Sequence, residues 1–226
     1  MDPSRGIRAG SARPGPEVGG ACFSLPANRR KRKEERRAFG GLSCFRAMAE
    51  HRRRLPHLQP DGEYLFVTWR LHGSLPAMPP DVIYAPPGHA FAAQDRALAR
   101  NRGHLWLRDP RVARLVMDAI RSGEHQRRFY ESQAWVVMPN HVHLLILPTV
   151  PLPEITHWIK GKTAREAQLL LGRRGGPFCQ HESYDHWVRT SKERQRIAAY
   201  IEDNPVLAGL AAHPEDWPWS IAARAS

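Results

Sequence analysis

His141 and His143 stand one residue apart in WVVMPNHVHLLILP, the otherwise apolar run 135–148. In an extended strand alternate side chains share a face, so the two imidazoles point one way while Val142 points the other. Side by side they offer two nitrogen donors to a metal ion. A half-exposed strand face also carries histidines that titrate near neutrality and bind nothing, so the pair acquires meaning only from partners. Tyr200 and Asn204, four positions apart, supply them. On a helix they share one face, with roughly 5–6 Å between their β-carbons. If that helix packs on the histidine face, His141, His143 and Asn204 can share a divalent cation, with Tyr200 aimed at whatever the cation polarises.

That is a layout for phosphoryl transfer. A tyrosine hydroxyl is mostly protonated at neutral pH and is a weak nucleophile, and a phosphodiester repels it. Bound Mg²⁺ or Mn²⁺ would hold the phosphate oxygen, neutralise developing charge and align the attack, giving a covalent phosphotyrosine. Plainer readings compete. Tyr200 follows Ile197 by three and precedes Ile201, so it fits the edge of a core stripe. Asn204, just before Pro205, fits a helix terminator. Tyr184, close to His181 and His186, is a rival nucleophile placed before the last strand rather than on the helix. A zinc hydrolase built on the pair would need a third histidine nearby or a glutamate in HExxH spacing, and neither is present.

The elements that must position these groups follow in order. Glu63–Leu71 (EYLFVTWRL) reads as a first strand. The Pro-rich stretch Leu75–Gly88 is a loop, and Ala90–Arg100 suits a short helix. Asp109-Pro110 is an N-cap followed by proline at the first helical position, leading a helix with Val112, Leu115, Val116, Ala119 and Ile120 on one face. A hairpin of about 129–138 and 141–147 turns at Pro139-Asn140. Pro153–Leu171 has helical spacing, His186–Arg189 suits a short strand, and the capping box Thr190–Glu193 opens a helix to Asp203 that Pro205 stops. The string is βαββαβ with an added helix. The expected class is α+β, a ferredoxin-like antiparallel sheet with the extra C-terminal helix carrying the tyrosine.

A formal charge of +12 invites a polyanion partner, yet residues 1–54 hold 14 Lys/Arg against 5 Asp/Glu, while residues 55–226 hold 20 against 17. Most of the excess is therefore a Gly-, Pro- and Arg-rich tail, residues 1–54, expected to be disordered. Met48 opens the run into the first strand, so residues 1–47 are a candidate for an over-extended start, which intact-mass measurement of the native protein would settle. Cys22, Cys44 and Cys179 have no CxxC spacing, and no apolar run reaches the ~18 residues of a membrane helix. A soluble, reducing, cytoplasmic setting is expected. Lys160, Lys162, Arg165, Arg173, Arg174 and Arg189 are the candidate phosphate contacts. Trp158 and Trp187 are candidates for stacking bases, and Trp217-Pro218-Trp219 for packing.

The segments WVVMPNHVHLLILP, ITHWIKGKT, YDHWVRTSKE and YIEDNPVLAGLAAHPEDWPWS, in that order, resemble the REP-associated tyrosine transposases, single-tyrosine HUH enzymes that move single-stranded DNA. The resemblance covers about residues 60–222, within a domain 55–226. It implies His141 and His143 as the HUH metal pair, Asn204 as third ligand, Tyr200 as the catalytic tyrosine and Mg²⁺ or Mn²⁺ as cofactor. It further implies cleavage of single-stranded DNA beside a hairpin, a 5′-phosphotyrosine with a free 3′-OH, a nucleoid-associated location and either a homodimer or a monomer. The alternative is a hairpin-binding module of the same ancestry without turnover.

Overall fold

The structure is a computed structural model of the chain and describes residues 48–52, 56–75, 87–100 and 103–224. The strands are β1 (Met48–Arg52), β2 (Pro56–Pro60), β3 (Leu65–Arg70), β4 (Tyr130–Val137), β5 (His141–Pro148) and β6 (Tyr184–Trp187). The helices are α1 (Pro87–Ala99), α2 (Pro110–His125), α3 (Leu152–Leu170) and α4 (Ser191–Leu207), with short 3-10 turns at Trp106–Arg108 and Pro214–Asp216. The expected basic tail lies outside the described residues except for Met48–Arg52, which pairs antiparallel with β2. The Pro-rich loop lies outside them too, apart from its two ends.

The main sheet has the order β4-β5-β3-β6 with every neighbouring pair antiparallel. That is the strand order of a ferredoxin-like βαββαβ unit, so the expected α+β class holds. Alternation along each strand separates two layers. Leu65, Val67, Trp69, Val142, Leu144 and Ile146 join α2 and α3 in the larger core, where Ile120, Ile155 and Ile159 are fully buried. Each such side chain contributes about 1.5–3 kcal/mol. Phe66, Ala134, Val136, Met138 and Leu145 face the other way and meet Ile197, Tyr200 and Ile201 of α4. The histidines alternate onto this second face.

Local chemistry fixes the helix ends. Asp109 caps α2 by accepting from the Arg111 amide, with Pro110 just inside. Thr190 caps α4 by accepting from the Glu193 amide, while Glu193 accepts from the Arg189 amide, one residue before the cap. Three expectations need correction. The helix does not stop at Pro205, which is buried inside it. The proline forfeits one hydrogen bond in the last turn, and the helix ends two residues later at Leu207, closed by Gly209 (φ +67°) donating to Val206 O and Leu210 to Pro205 O, a Schellman close. The last strand begins at Tyr184 rather than His186, so Tyr184 is in the sheet and not before it. Finally, β1 and β2 add to the simple βαββαβ string, whereas the short helix expected at Ala90–Arg100 is present as α1, starting at Pro87.

The tryptophan cluster packs. Trp219 joins the larger core and Trp217 the second layer. The Val137 amide donates to Trp219 O, the Ile221 amide to Trp135 O and Trp217 Nε1 to Val137 O, fastening this segment along β4.

Candidate metal and tyrosine site

Ladder register, more than sequence proximity, builds the site. Thr68 of β3 lies directly opposite His143 of β5, and its Oγ1 is 2.7 Å from His143 Nδ1. His141 Nδ1 is 2.6 Å from Asn140 Oδ1, and Asn140 Nδ2 donates to Leu98 O at the end of α1. Because that amide nitrogen is engaged with Leu98, the oxygen faces His141 and can only accept. His141 Nδ1 therefore carries the proton and Nε2 keeps its lone pair. The Thr68 hydroxyl can donate or accept, and in the tautomer in which it accepts from His143 Nδ1 the same holds there. Outer hydrogen bonds of this kind orient metal-ligating imidazoles.

The third donor is Asp95, on α1. Its Oδ1 lies 3.1 Å from His143 Nε2 and 3.7 Å from His141 Nε2. All three atoms are buried and without a hydrogen-bond partner. One donor atom from each residue lies within 4.8 Å of the others. Buried polar atoms are rarely left unsatisfied, and three converging ones fit a cation. Sequence reading missed Asp95 entirely, along with the supporting Thr68 and Asn140. Asp95 has no spacing relation to the histidines, and the PNHVH run alone could have drawn notice to Asn140.

Tyr200 meets the same carboxylate: its hydroxyl donates to Asp95 Oδ2. Its ring lies 5.9 Å from that of His143. Burial, then the Asp95 charge, pushes the Tyr200 hydroxyl well above its ordinary value, and a hydrogen bond from buried Asn204 opposes the rise. Burial alone would raise the Asp95 carboxyl, but His143, His141 and Tyr200 outweigh it and hold it well below the carboxylate range. Phe66, Phe91 and Tyr184 wall the site, with Phe91 and Tyr184 stacked at 4.6 Å and Phe66 stacked on His143 at 5.6 Å.

The structure thus brings His141, His143, Tyr200 and Asn204 together. It does not bring the expected basic residues to them. Lys160, Lys162 and Arg165 ride on α3, in the opposite layer. Lys160 Nζ donates to Gln180 O and His181 O, and Lys162 lies over Trp158. Arg173 packs 3.5 Å over Trp106, Arg189 lies over Trp187, and Arg174 is exposed. A cavity of about 310 Å³ lies between α3 and the segment 178–185, and none of the cation donors line it.

A REP-associated tyrosine transposase of Escherichia coli K12 is 30% identical over 94 residues, 41% of this chain and 54% of the relative. The chain is similar to that transposase. It spans about half the relative's length. Among solved structures, a REP-associated tyrosine transposase bound to a REP hairpin is 23% identical with a TM-score of 0.48, covering 76% of this chain and 82% of the other. A putative transposase from Deinococcus radiodurans R1 is 21% identical with a TM-score of 0.38, covering 62% and 89%. No protein-family model matches the chain. Among the described residues no helix is long and apolar enough to cross a membrane.

Two predictions arise from the support around the donors. Thr68→Val keeps the shape of the side chain but leaves His143 Nδ1 without its partner. It is expected to weaken Mn²⁺ binding by about 10–100-fold in a titration followed by electron paramagnetic resonance; unchanged binding would show that the threonine does not orient the ligand.

The second concerns acid. Burial, reinforced by His143, lowers His141 to about 3. The folded chain therefore holds this ring neutral where the unfolded chain, with a value near 6.5, protonates it. In EDTA, unfolding free energy is expected to fall by up to about 1.4 kcal/mol per pH unit as pH drops through that window. Urea midpoints across pH should show the slope, and His141→Gln should remove it.

Proposed function

We propose that the chain is a divalent-metal-dependent single-stranded DNA endonuclease and strand transferase that acts beside hairpins through Tyr200. One observation carries this reading: a single carboxylate, Asp95, faces two unsatisfied imidazole nitrogens with one oxygen and holds a tyrosine hydroxyl with the other. The similarity to a curated REP-associated tyrosine transposase supports the choice of DNA as substrate.

His141, His143 and Asp95 would hold the cation, with Asn204 as a further oxygen donor at the edge. Two imidazoles favour Mn²⁺ over Mg²⁺. When bound, the cation supplies charge stabilisation at a phosphate oxygen and aligns the in-line displacement. The chain's own groups do the rest. Asp95 Oδ2 and Asn204 fix the Tyr200 oxygen, which the aromatic wall of Phe66, Phe91 and Tyr184 shields from bulk water. Tyr200 Oη forms a bond to phosphorus as the bond from phosphorus to the 3′ oxygen breaks. The tyrosine gives up its proton and the departing oxygen gains one, leaving a 5′-phosphotyrosine and a free 3′-OH. Attack by a second 3′-OH reverses the step and joins strands.

The test is incubation with labelled hairpin DNA carrying single-stranded flanks, with Mn²⁺, followed by denaturing electrophoresis. A labelled, protease-sensitive adduct is expected. Hairpin binding without any adduct would favour the non-catalytic binding module instead. The soluble cytoplasmic setting, the choice between homodimer and monomer, and the boundary at residue 55 belong to the same reading.

A further inference from the structure

Arg70 ends β3 and stands opposite His141 in the ladder with β5. Opposed residues in an antiparallel pair share a face. Trp69 before it is buried in the α2/α3 core, so the Arg70 side chain emerges on the histidine face. Its backbone is committed, since the Gln180 amide donates to Arg70 O. Its guanidinium is not. The side chain is half-buried, and that burial, with no charge to offset it, pushes the guanidinium below the ordinary arginine value. Among the described residues no carboxylate pairs with it and no acceptor takes its protons.

A partly desolvated charge without a partner is a cost that folding alone does not repay. A ligand that brings the counter-charge would offset that cost. The guanidinium fork matches phosphate oxygens in pairs, which a lysine cannot do. A second arginine flanks the nucleophile: Arg96, exposed on α1 beside Asp95, lies close enough to Tyr200 for its charge to lower the hydroxyl's value. One arginine thus lies in register with His141 and another near Tyr200, whereas the lysines of α3 lie in the other layer.

We infer that Arg70 is the anion-holding residue of this site, binding the non-bridging oxygens of a DNA phosphodiester, with Arg96 as the second, exposed arm. This rests on the DNA-cleaving reading above. It assigns the phosphate contact to a strand residue that none of the basic helix and loop positions anticipated.

The experiment uses the full chain with Tyr200→Phe, so that no cleavage occurs, in EDTA, so that no cation bridges to DNA. The probe is a fluorescent hairpin oligonucleotide with single-stranded flanks. Arg70→Met is expected to lower affinity about tenfold and to reduce the salt dependence by roughly one phosphate contact. Its melting temperature should be unchanged or higher, because an unpaired charge has been removed, and Mn²⁺ affinity should be unaltered. Arg70→Lys should restore part of the binding. DNA affinity and salt slope equal to those of the parent would overturn the assignment. So would a lowered melting temperature with Arg70→Lys no better than Arg70→Met, the pattern of a structural arginine. If inorganic phosphate competes for the parent's Arg70 while Arg70→Met leaves DNA affinity intact, the ligand is free phosphate and the assignment to DNA is wrong. Failure of the parent chain to bind the oligonucleotide at all would instead remove the DNA-cleaving reading on which the inference stands.

Discussion

Tyr200→Phe is expected to abolish the covalent DNA adduct while leaving the chain folded and able to bind both Mn²⁺ and hairpin DNA. The ring keeps its packing against Phe66 and Phe91. What disappears is the oxygen that forms the bond to phosphorus, and no neighbouring group can replace it at that position. The cost in stability is one hydrogen bond to Asp95, leaving Oδ2 without a partner, about 1–3 kcal/mol. Tyr184→Phe is the control. Tyr184 lies on the same face, stacked on Phe91, and burial raises its hydroxyl value first, with Asp185 and Glu193 adding to the rise. Among the described residues no carboxylate holds it as Asp95 holds Tyr200. The adduct should survive in Tyr184→Phe; its loss there, with survival in Tyr200→Phe, would transfer the nucleophile to β6.

The second large effect belongs to Asp95. A cation that binds the folded chain alone raises its stability by mass action, about 2.7 kcal/mol at a hundred times the dissociation constant. Wild type should therefore melt higher with Mn²⁺ than with EDTA. Asp95→Asn retains an amide oxygen for Tyr200 but loses the charge that faces the two imidazoles. Its Mn²⁺ affinity should fall by more than about 100-fold, beyond the range typical of outer-shell partners, and the Mn²⁺-dependent rise in melting temperature should vanish at the same concentration. Asn204→Ala, measured beside it, ranks the two oxygen donors. If Asn204→Ala loses the cation and Asp95→Asn keeps it, the asparagine is the third ligand and Asp95 serves only Tyr200.

The residues of the site differ in how far pattern alone exposes them. His141 and His143 are legible because a two-residue period means one strand face. Tyr200 and Asn204 are legible because four residues mean one helix face. Both relations are local. Asp95 reaches the site from α1, after a Pro-rich stretch, at a position that in FAAQDRALAR looks like any polar residue of an amphipathic helix. Thr68 and Arg70 acquire their roles from register with β5, which no single segment encodes. The charge of the basic side chains of α3 is visible in sequence, whereas the layer they occupy is not. Pro205 misled for a related reason: its local preference is to end a helix, but the glycine four residues on and the packing of α4 on the sheet decide where the end falls.

The hydrogen bonds from the Val137 amide to Trp219 O and from the Ile221 amide to Trp135 O use the outward amide and carbonyl groups of β4, the outermost strand of the sheet on that side. A strand with those groups exposed is a template onto which another chain can add. Here the template is already occupied by the protein's own backbone, with Ser220 bridged to Val136. Two copies of this chain therefore cannot merge their sheets through the stretch Trp135–Val137 of β4.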